Sequence, residues 1–243
     1  MRSLKIRCMS ILLTFFVAFS MVAGATGEVN AASGKITVTV YSQAGENKVY
    51  VGDRGSVDVS QEKSSEINSL PVRSVTVSDK SLAVVRKGTI TGEYGEKYKA
   101  YFIVGKKPGK VKITVKYKLN GKIRSRKKTI TIKPNPDAIQ SLEINGSKKA
   151  LKGEKAFIYN AKYTKTKVNV KIIPAEGWEI TEAYGYKTYV KNKKEKEVWL
   201  KNVDDKVKDG TAISFSKKYR RMLIYVTLEK DGNAIAYELN LHR

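Results

Sequence analysis

The chain has 243 residues, of which 47 are Lys or Arg and 23 are Asp or Glu, giving a formal net charge of +24 at pH 7. Its one cysteine, Cys8, lies in an N-terminal leader, so the rest of the chain has no thiol for disulfides, catalysis or metal binding. The excess of basic residues indicates attraction to a polyanion or tolerance of an ionic medium.

Residues 1–31 have the parts of a secretory signal peptide. A basic segment precedes an apolar run over residues 11–23, and cleavage is expected after Ala25 or Ala31. The basic residues are Arg2, Lys5 and Arg7. An uncleaved anchor is the alternative, but this run is shorter than the ~20 apolar residues that span a bilayer. We expect a chain without a transmembrane segment after cleavage, secreted or associated with the cell wall.

A proline-containing linker divides the remainder of the chain. Pro134 and Pro136 lack backbone donors and favour an extended segment, so strand pairing should stop there. The sequence predicts domains at residues 34–134 and 138–243. On both sides short strands alternate with turn residues, without a long amphipathic helix. This pattern predicts an all-β chain of two tandem antiparallel β-sandwich domains.

Seven strands are predicted in the first domain. They are Lys35–Tyr41, Ser56–Ser60, Arg73–Val77, Leu82–Arg86, Tyr98–Val104, Lys110–Lys118 and Lys127–Lys133. The sixth strand alternates strictly, so its apolar side chains should face a core and its lysines should face solvent. The apolar side chains are Val111, Ile113, Val115 and Tyr117. Asn120-Gly121 predicts a type I′ turn between the last two strands.

Nine strands are predicted in the second domain. They are Ser141–Ile144, Ala156–Tyr163, Val168–Ile173, Glu179–Ala183, Thr188–Val190, Val198–Leu200, Ala212–Ser216, Met222–Glu229 and Ala234–Leu241. Asp231-Gly232 predicts a type I′ turn between the last two. Because both faces of Met222–Glu229 are partly apolar, this strand should be central. Trp178 and Trp199 are expected in the core or at its edge.

Several short motifs follow one another between Ile36 and Ile132. They are Val49-Tyr50-Val51-Gly52-Asp53 with Val57-Asp58-Val59, Val75-Thr76-Val77-Ser78-Asp79 with Leu82-Ala83-Val84-Val85, Gly88-Thr89-Ile90-Thr91-Gly92, and Pro108-Gly109-Lys110-Val111-Lys112-Ile113-Thr114-Val115. In this order they resemble the group 2 bacterial immunoglobulin-like domains of invasin- and intimin-type surface proteins. Residues 93–101 depart from the family pattern, and residues 94–98 look like an inserted or extended loop. The second domain has no comparable motif.

The resemblance implies a rigid spacer or an adhesive module on a bacterial surface, with no catalytic residues. A carbohydrate-active or inhibitor function of the second domain is a further alternative, because Glu179 and Glu182 flank Trp178. Glycoside cleavage needs two carboxylates facing each other across a cleft. Core packing of the aromatic residues is the favoured interpretation.

Other candidates for chemistry are weak. His242, the one histidine, is penultimate, and we expect it on a frayed end where it cannot act as a catalyst. Asp204, Asp205 and Asp209 do not have the spacing of a calcium loop, which predicts a polar inter-strand loop. We therefore expect no enzyme activity, no cofactor and no metal site.

Clustered basic residues are the remaining functional signal. The main candidate site for polyanions comprises Lys110, Lys112, Lys116, Lys118, Lys122, Arg124, Arg126, Lys127 and Lys128. A second group is Lys187, Lys191, Lys193, Lys194 and Lys196, and a third is Lys217, Lys218, Arg220 and Arg221. One interpretation is a solvated surface that protects edge strands from aggregation. The other is binding of an anionic cell-wall polymer or polysaccharide, with non-specific nucleic-acid binding as a further option.

Overall fold

The computed structural model describes residues 34–63, 66–91, 97–151 and 156–243, so the predicted signal peptide lies outside the described residues. These residues form eighteen β-strands and one short helix. One compact unit holds the described residues up to Val49 together with Arg54–Lys133, and the other holds Tyr50–Asp53 together with Pro134–Arg243. No helix within the described ranges is long and apolar enough to cross a membrane.

Nine strands belong to the first sandwich. They are β1 (Lys35–Tyr41), β2 (Lys48–Tyr50), β3 (Arg54–Lys63), β4 (Glu66–Ser69), β5 (Val72–Val77), β6 (Ala83–Thr91), β7 (Lys97–Gly105), β8 (Gly109–Leu119) and β9 (Lys122–Lys133). One sheet has the order β1-β3-β7-β6, with β4 also paired to β3, and the other has the order β2-β9-β8-β5. In immunoglobulin lettering these orders are A-B-E-D and A′-G-F-C. The predicted Ig-like fold class is therefore confirmed.

The alternation of apolar and polar residues along the strands directs the apolar side chains into the core of this sandwich. Every second side chain of a strand points to the same face, so apolar residues two apart share the buried side. The buried residues include Val38, Val40, Val57, Val59, Ile103, Val111, Ile113, Val115, Ile130 and Ile132. Burial of such side chains is the main source of stability in a chain without disulfides.

The second unit also contains nine strands and two sheets. The strands are β10 (Ile139–Ile144), β11 (Ser147–Lys149), β12 (Ile158–Lys162), β13 (Lys167–Pro174), β14 (Glu179–Lys191), β15 (Lys194–Trp199), β16 (Ala212–Ser214), β17 (Arg221–Lys230) and β18 (Asn233–His242). The sheet orders are β11-β10-β13-β16 and β12-β18-β17-β14-β15. Apart from β11, these correspond to A-B-E and A′-G-F-C-C′ of an Ig-like sandwich. Strand β17 is central in its sheet, which confirms that prediction.

One pairing in the second unit is parallel. Strand β12 runs alongside β18, with Ile158 opposite Glu238 and Lys162 opposite His242. Between β10 and β12 the chain passes from one sheet to the other. The prediction of antiparallel sandwiches therefore holds for the architecture but misses this pair, because alternation does not encode strand direction.

A short helix, α1 (Val203–Asp209), occupies the position between β15 and β16. Val203 and Val207 are four residues apart and both are buried, while the Asp204 carboxylate accepts a hydrogen bond from the Ala183 N–H of β14. The polar loop predicted here is wrong, because this spacing of valines gives a helix one buried face. In the described chain no group of three or more His, Cys, Asp or Glu side chains could hold a metal.

Several strand boundaries differ from the sequence prediction, and two of the differences involve glycines. Glu179–Ala183 and Thr188–Val190 form one strand, β14. Gly185 lies inside it, where a Cβ would come within 2.4 Å of the Leu223 carbonyl oxygen. The motif Gly88-Thr89-Ile90-Thr91-Gly92 matches a turn of the family pattern, but residues 88–91 are not a turn here, because they continue β6 and pair with β7. Residues 94–96 of the expected loop lie outside the described residues, and residues 97–98 already belong to β7.

Candidate polyanion-binding surface

The β8–β9 hairpin contains all nine residues of the main candidate site. Asn120 and Gly121, with φ of 47° and 76°, form the predicted type I′ turn between the strands. On β8 the predicted alternation is confirmed. Its apolar side chains Val111, Ile113, Val115 and Tyr117 are at most 3% exposed, whereas Lys110, Lys112, Lys116 and Lys118 are exposed.

Register determines which residues of β9 share the outward side of the hairpin. Lys112 is opposite Thr129, Thr114 is opposite Lys127, and Lys116 is opposite Ser125. Directly opposed residues point to the same side of a sheet. The outer face of this hairpin, which we call the cationic face, is therefore formed by Lys110, Lys112, Lys116, Lys118 and Lys127.

The other four candidate residues lie on the opposite side of the hairpin. Lys122, Arg124, Arg126 and Lys128 are opposite Leu119, Tyr117, Val115 and Ile113. They thus share the inward side with the core residues of β8, although the first three are exposed and Lys128 is half-buried. The structure does not bring the nine predicted residues together on one surface.

The cationic face lies on strands that have basic residues and no acidic residues. Neither β5, β8 nor β9 contains Asp or Glu. Successive outward lysines of a strand are about 7 Å apart, within the ~8 Å screening length of physiological salt, so they repel one another. The hydroxyl groups of Thr114, Ser125 and Thr129 share this side and can donate hydrogen bonds to anionic oxygens.

One lysine from the second basic group and one from the third lie beside the same pair of tyrosines. The Lys187 and Lys218 ammonium groups lie 4.5 and 4.9 Å from the centroid of the Tyr219 ring, and Tyr189 meets Tyr219 edge-to-face at 6.0 Å. The Lys187 ammonium also donates to the Ser214 carbonyl at 3.2 Å. Cation–π contacts of this kind stabilise a fold, so these lysines have a packing role here.

The carboxylates considered for glycoside cleavage do not face each other across a cleft, because both lie on strand β14. Trp178 and Glu179 line a shallow open pocket of about 510 Å³, together with Lys171, Ile180 and Lys208. Glu182 does not line this pocket. It follows a bulge in β14 and lies opposite Thr227.

His242 is not on a frayed end, so that expectation is wrong. It is the last residue of β18 and pairs with Arg221, and its carbonyl accepts a hydrogen bond from the Tyr163 N–H at 2.7 Å. Its side chain is exposed.

Sequence reasoning missed a cluster of aromatic rings in the second unit. Tyr186 of β14 lies opposite Trp199 of β15, and Tyr184 lies opposite Tyr225 of β17. Ring centroids are 5.1 Å apart for Tyr184 and Tyr225 and 5.5 Å apart for Tyr186 and Trp199. We call these four residues the aromatic face.

The aromatic face corrects one of the two tryptophan predictions. Trp178 packs against the core of the second unit, as predicted, but Trp199 is 61% exposed. Tyr184 and Tyr186 are two apart, which in a strand places them on one side. This spacing was present in the sequence, but the predicted strands ended at Ala183 and resumed at Thr188, so neither tyrosine was assigned to a strand.

No family model and no curated protein matches the sequence. Among solved structures, the chain is similar to the tandem Ig repeats of Dlar (12% identity, 87% of this chain and 98% of that one, TM-score 0.30). It is also similar to domains 5–6 of the S-layer protein SbsC (14%, 85% and 96%, 0.28) and to fibronectin(III)-like modules of Clostridium thermocellum CbhA (10%, 86% and 93%, 0.23). The assignment of an Ig-like fold rests on the strand orders described above.

Proposed function

We propose that this is an exported bacterial Ig-like protein that binds an anionic cell-wall polymer through its cationic face, without catalysing a reaction. The observation that supports the proposal is a row of lysines on strands β8 and β9 with no carboxylate on β5, β8 or β9. In this proposal the first unit is related to the group 2 bacterial immunoglobulin-like domains, and the N-terminal 31 residues direct export.

Mutual repulsion among the lysines favours the binding of a polyanion to the cationic face. Exposed like charges within a screening length destabilise a fold slightly, and a polyanion that neutralises them removes this cost. All five residues of the face are lysines, which act as point charges, whereas arginine favours fork-like recognition of particular phosphates. We therefore expect binding that depends on charge density more than on the chemical detail of the polymer.

The test is co-sedimentation of the purified chain with isolated bacterial cell walls. Replacing Lys110, Lys112 and Lys116 by Gln removes three charges from the cationic face and should strongly reduce the bound fraction. The matched control replaces Lys35, Lys97 and Lys99 by Gln, since these exposed lysines lie on β1 and β7 of the other sheet.

The control variant should bind nearly as well as wild type. Equal binding by both variants and the wild type would contradict the proposal and favour a purely architectural spacer. Parallel assays with heparin and DNA show whether the cationic face discriminates among polyanions.

A further inference from the structure

The aromatic face has more exposed apolar surface than the packing of the second unit requires. The core lies on the other side of the same sheet, where Met222, Ile224 and Val226 of β17 are completely buried. Trp199 nevertheless remains 61% exposed beside Tyr186. Clustered exposed aromatic rings with polar surroundings are typical of binding sites.

Carboxylates surround these rings. Glu182 precedes Tyr184 on the same side of β14, Glu238 lies opposite Tyr225, and Glu197 is two residues before Trp199 on β15. Basic residues of this side include Arg221, whose Nε donates to the Asn240 side-chain oxygen at 2.9 Å, and Lys162 of the edge strand β12, which lies opposite His242. The local charge of this side is negative in a chain that is strongly basic overall.

The hydroxyls of Tyr186 and Tyr225 remain protonated. Burial, followed by the nearby Glu238 carboxylate, raises the pKa of Tyr225 above its ordinary value. Burial also raises the pKa of Tyr186, and the Glu197 carboxylate adds to the effect. Both phenols therefore keep their hydroxyl hydrogen at physiological pH, and one of these hydrogens is used in the hydrogen bond between Tyr186 and Tyr225.

We propose that the aromatic face binds an uncharged polysaccharide chain. The C–H faces of sugar rings are apolar and can stack on exposed aromatic rings, while sugar hydroxyls can donate to the surrounding carboxylates. The rings lie on paired strands of one sheet, which holds them in place before binding and limits the loss of entropy.

Charge and area argue against other ligands. The three carboxylates outnumber the basic groups Arg221 and Lys162 on this side, so it repels an acidic polymer and its ligand differs from that of the cationic face. Each partner in a stable protein complex buries about 800 Å², whereas an aromatic side chain buries about 150–250 Å² when fully covered. The three tyrosines are already half-buried, so four rings fall short of such an interface.

The proposal is independent of polyanion binding because it concerns the other unit and a surface of opposite charge. Affinity electrophoresis in native gels that contain xylan, mannan, hydroxyethyl cellulose or a β-1,3-glucan tests it. We expect retardation by at least one of these polymers, at high as well as low salt. The Lys110/Lys112/Lys116→Gln variant should be retarded equally.

Substitutions at one ring identify the site. Trp199→Ala should lower the apparent affinity for the polymer by about tenfold, as expected for the loss of one good stacking contact. Trp199→Tyr should keep most of the wild-type affinity. The matched control is Tyr98→Ala, which removes a 39% exposed aromatic ring from the first unit and should have no effect. Because Trp199 is largely exposed, unchanged circular dichroism of the Ala variant should confirm folding.

Fluorescence gives a second readout. The chain has two tryptophans, so a Trp178→Phe background leaves Trp199 as the reporter, and its emission should shift to shorter wavelength as the polymer covers it. Absence of retardation by all four polymers, or equal retardation of Trp199→Ala and wild type, would overturn the proposal. It would also be overturned by a self-associated species in sedimentation velocity that Trp199→Ala dissociates, since the face would then be a protein interface.

Discussion

The Arg243 side chain connects several segments of the second unit through hydrogen bonds. Its guanidinium donates to the carbonyls of Thr164 at 2.7 Å and Lys165 at 2.9 Å, and to that of Phe215, whose ring lies 4.7 Å away. Arg243→Ala should lower the free energy of unfolding by about 1.5–3 kcal/mol, the range for hydrogen bonds to a charged group. Arg243→Lys should recover only part of this loss, because an ammonium cannot reproduce the planar fork.

Urea unfolding followed by tryptophan fluorescence is the appropriate measurement. Both tryptophans, Trp178 and Trp199, are in the second unit, so the signal reports that unit alone. Equal midpoints for Arg243→Ala and wild type would show that these hydrogen bonds do not stabilise the fold.

Asp58 on β3 provides a pH-dependent test in the first unit. Burial raises the pKa of its carboxyl above the ordinary value, although a hydrogen bond from the Ser69 hydroxyl at 3.0 Å opposes the shift. A raised pKa means that the ionised form destabilises the folded state above that pKa, and this cost disappears below the ordinary aspartate value of about 4. Asp58→Asn should therefore be more stable than wild type at neutral pH but not in acid.

Denaturant midpoints followed by circular dichroism across this pH range test the Asp58 prediction. Ser69→Ala should have the opposite effect at neutral pH, because it removes the hydroxyl that stabilises the charged form. An advantage of Asp58→Asn that persists unchanged in acid would contradict the assigned cause.

At the scale of secondary-structure elements, the β14–β15 turn is the least favourable of the two-residue turns. Asn192 and Lys193 have φ of 52° and 59°, whereas the turns at residues 120–121 and 231–232 have glycine second. A non-glycine residue in this left-handed region costs about 1 kcal/mol. Lys193→Gly should raise the free energy of unfolding of the second unit by about that amount.

The matched control for this turn is Gly232→Lys. It places lysine at φ 73° in the β17–β18 turn and should cost about 1 kcal/mol by the same steric effect. Tryptophan fluorescence again reports the second unit. No change for Lys193→Gly together with a loss for Gly232→Lys would show that the β14–β15 turn relaxes its strain elsewhere.

Elements with strict alternation were predictable from the sequence. The β8–β9 hairpin has both the pattern and the Asn-Gly turn, so its faces and its reversal follow from local chemistry. Helix α1 was missed because seven residues give only one repeat of the Val203–Val207 spacing. Short strands such as β2 and β11 were missed because three residues hold no periodic signal.

The surfaces were harder to predict than the strands. Basic residues could be found by composition, but the predicted strand began at Lys127, and the full length of β9 is needed to place Arg124 and Arg126 on the inward side with Ile130 and Ile132. The aromatic face combines residues of three strands that are far apart in sequence, and no local pattern joins Trp199 to Tyr225. Surfaces of this kind depend on pairing, which a single sequence does not specify.

At the scale of the whole molecule, the net charge of +24 is unevenly distributed. The cationic face is free of acidic residues, whereas Glu182, Glu197 and Glu238 gather beside the aromatic rings of the second unit. The salt dependence of binding should therefore distinguish the two surfaces. Association through the cationic face should weaken as counterions compete, and association through the aromatic face should persist.

The salt dependence of binding to a soluble polyphosphate tests the central claim most directly. Titration calorimetry over a salt series should give a linear fall of log affinity with log salt, since each phosphate neutralised contributes about 0.7–0.9 to the slope. The Lys110/Lys112/Lys116→Gln variant should have a slope shallower by about 2–3, while the Lys35/Lys97/Lys99→Gln control keeps the wild-type slope. A wild-type slope near zero, or equal slopes for both variants, would contradict the assignment of the cationic face as the binding surface.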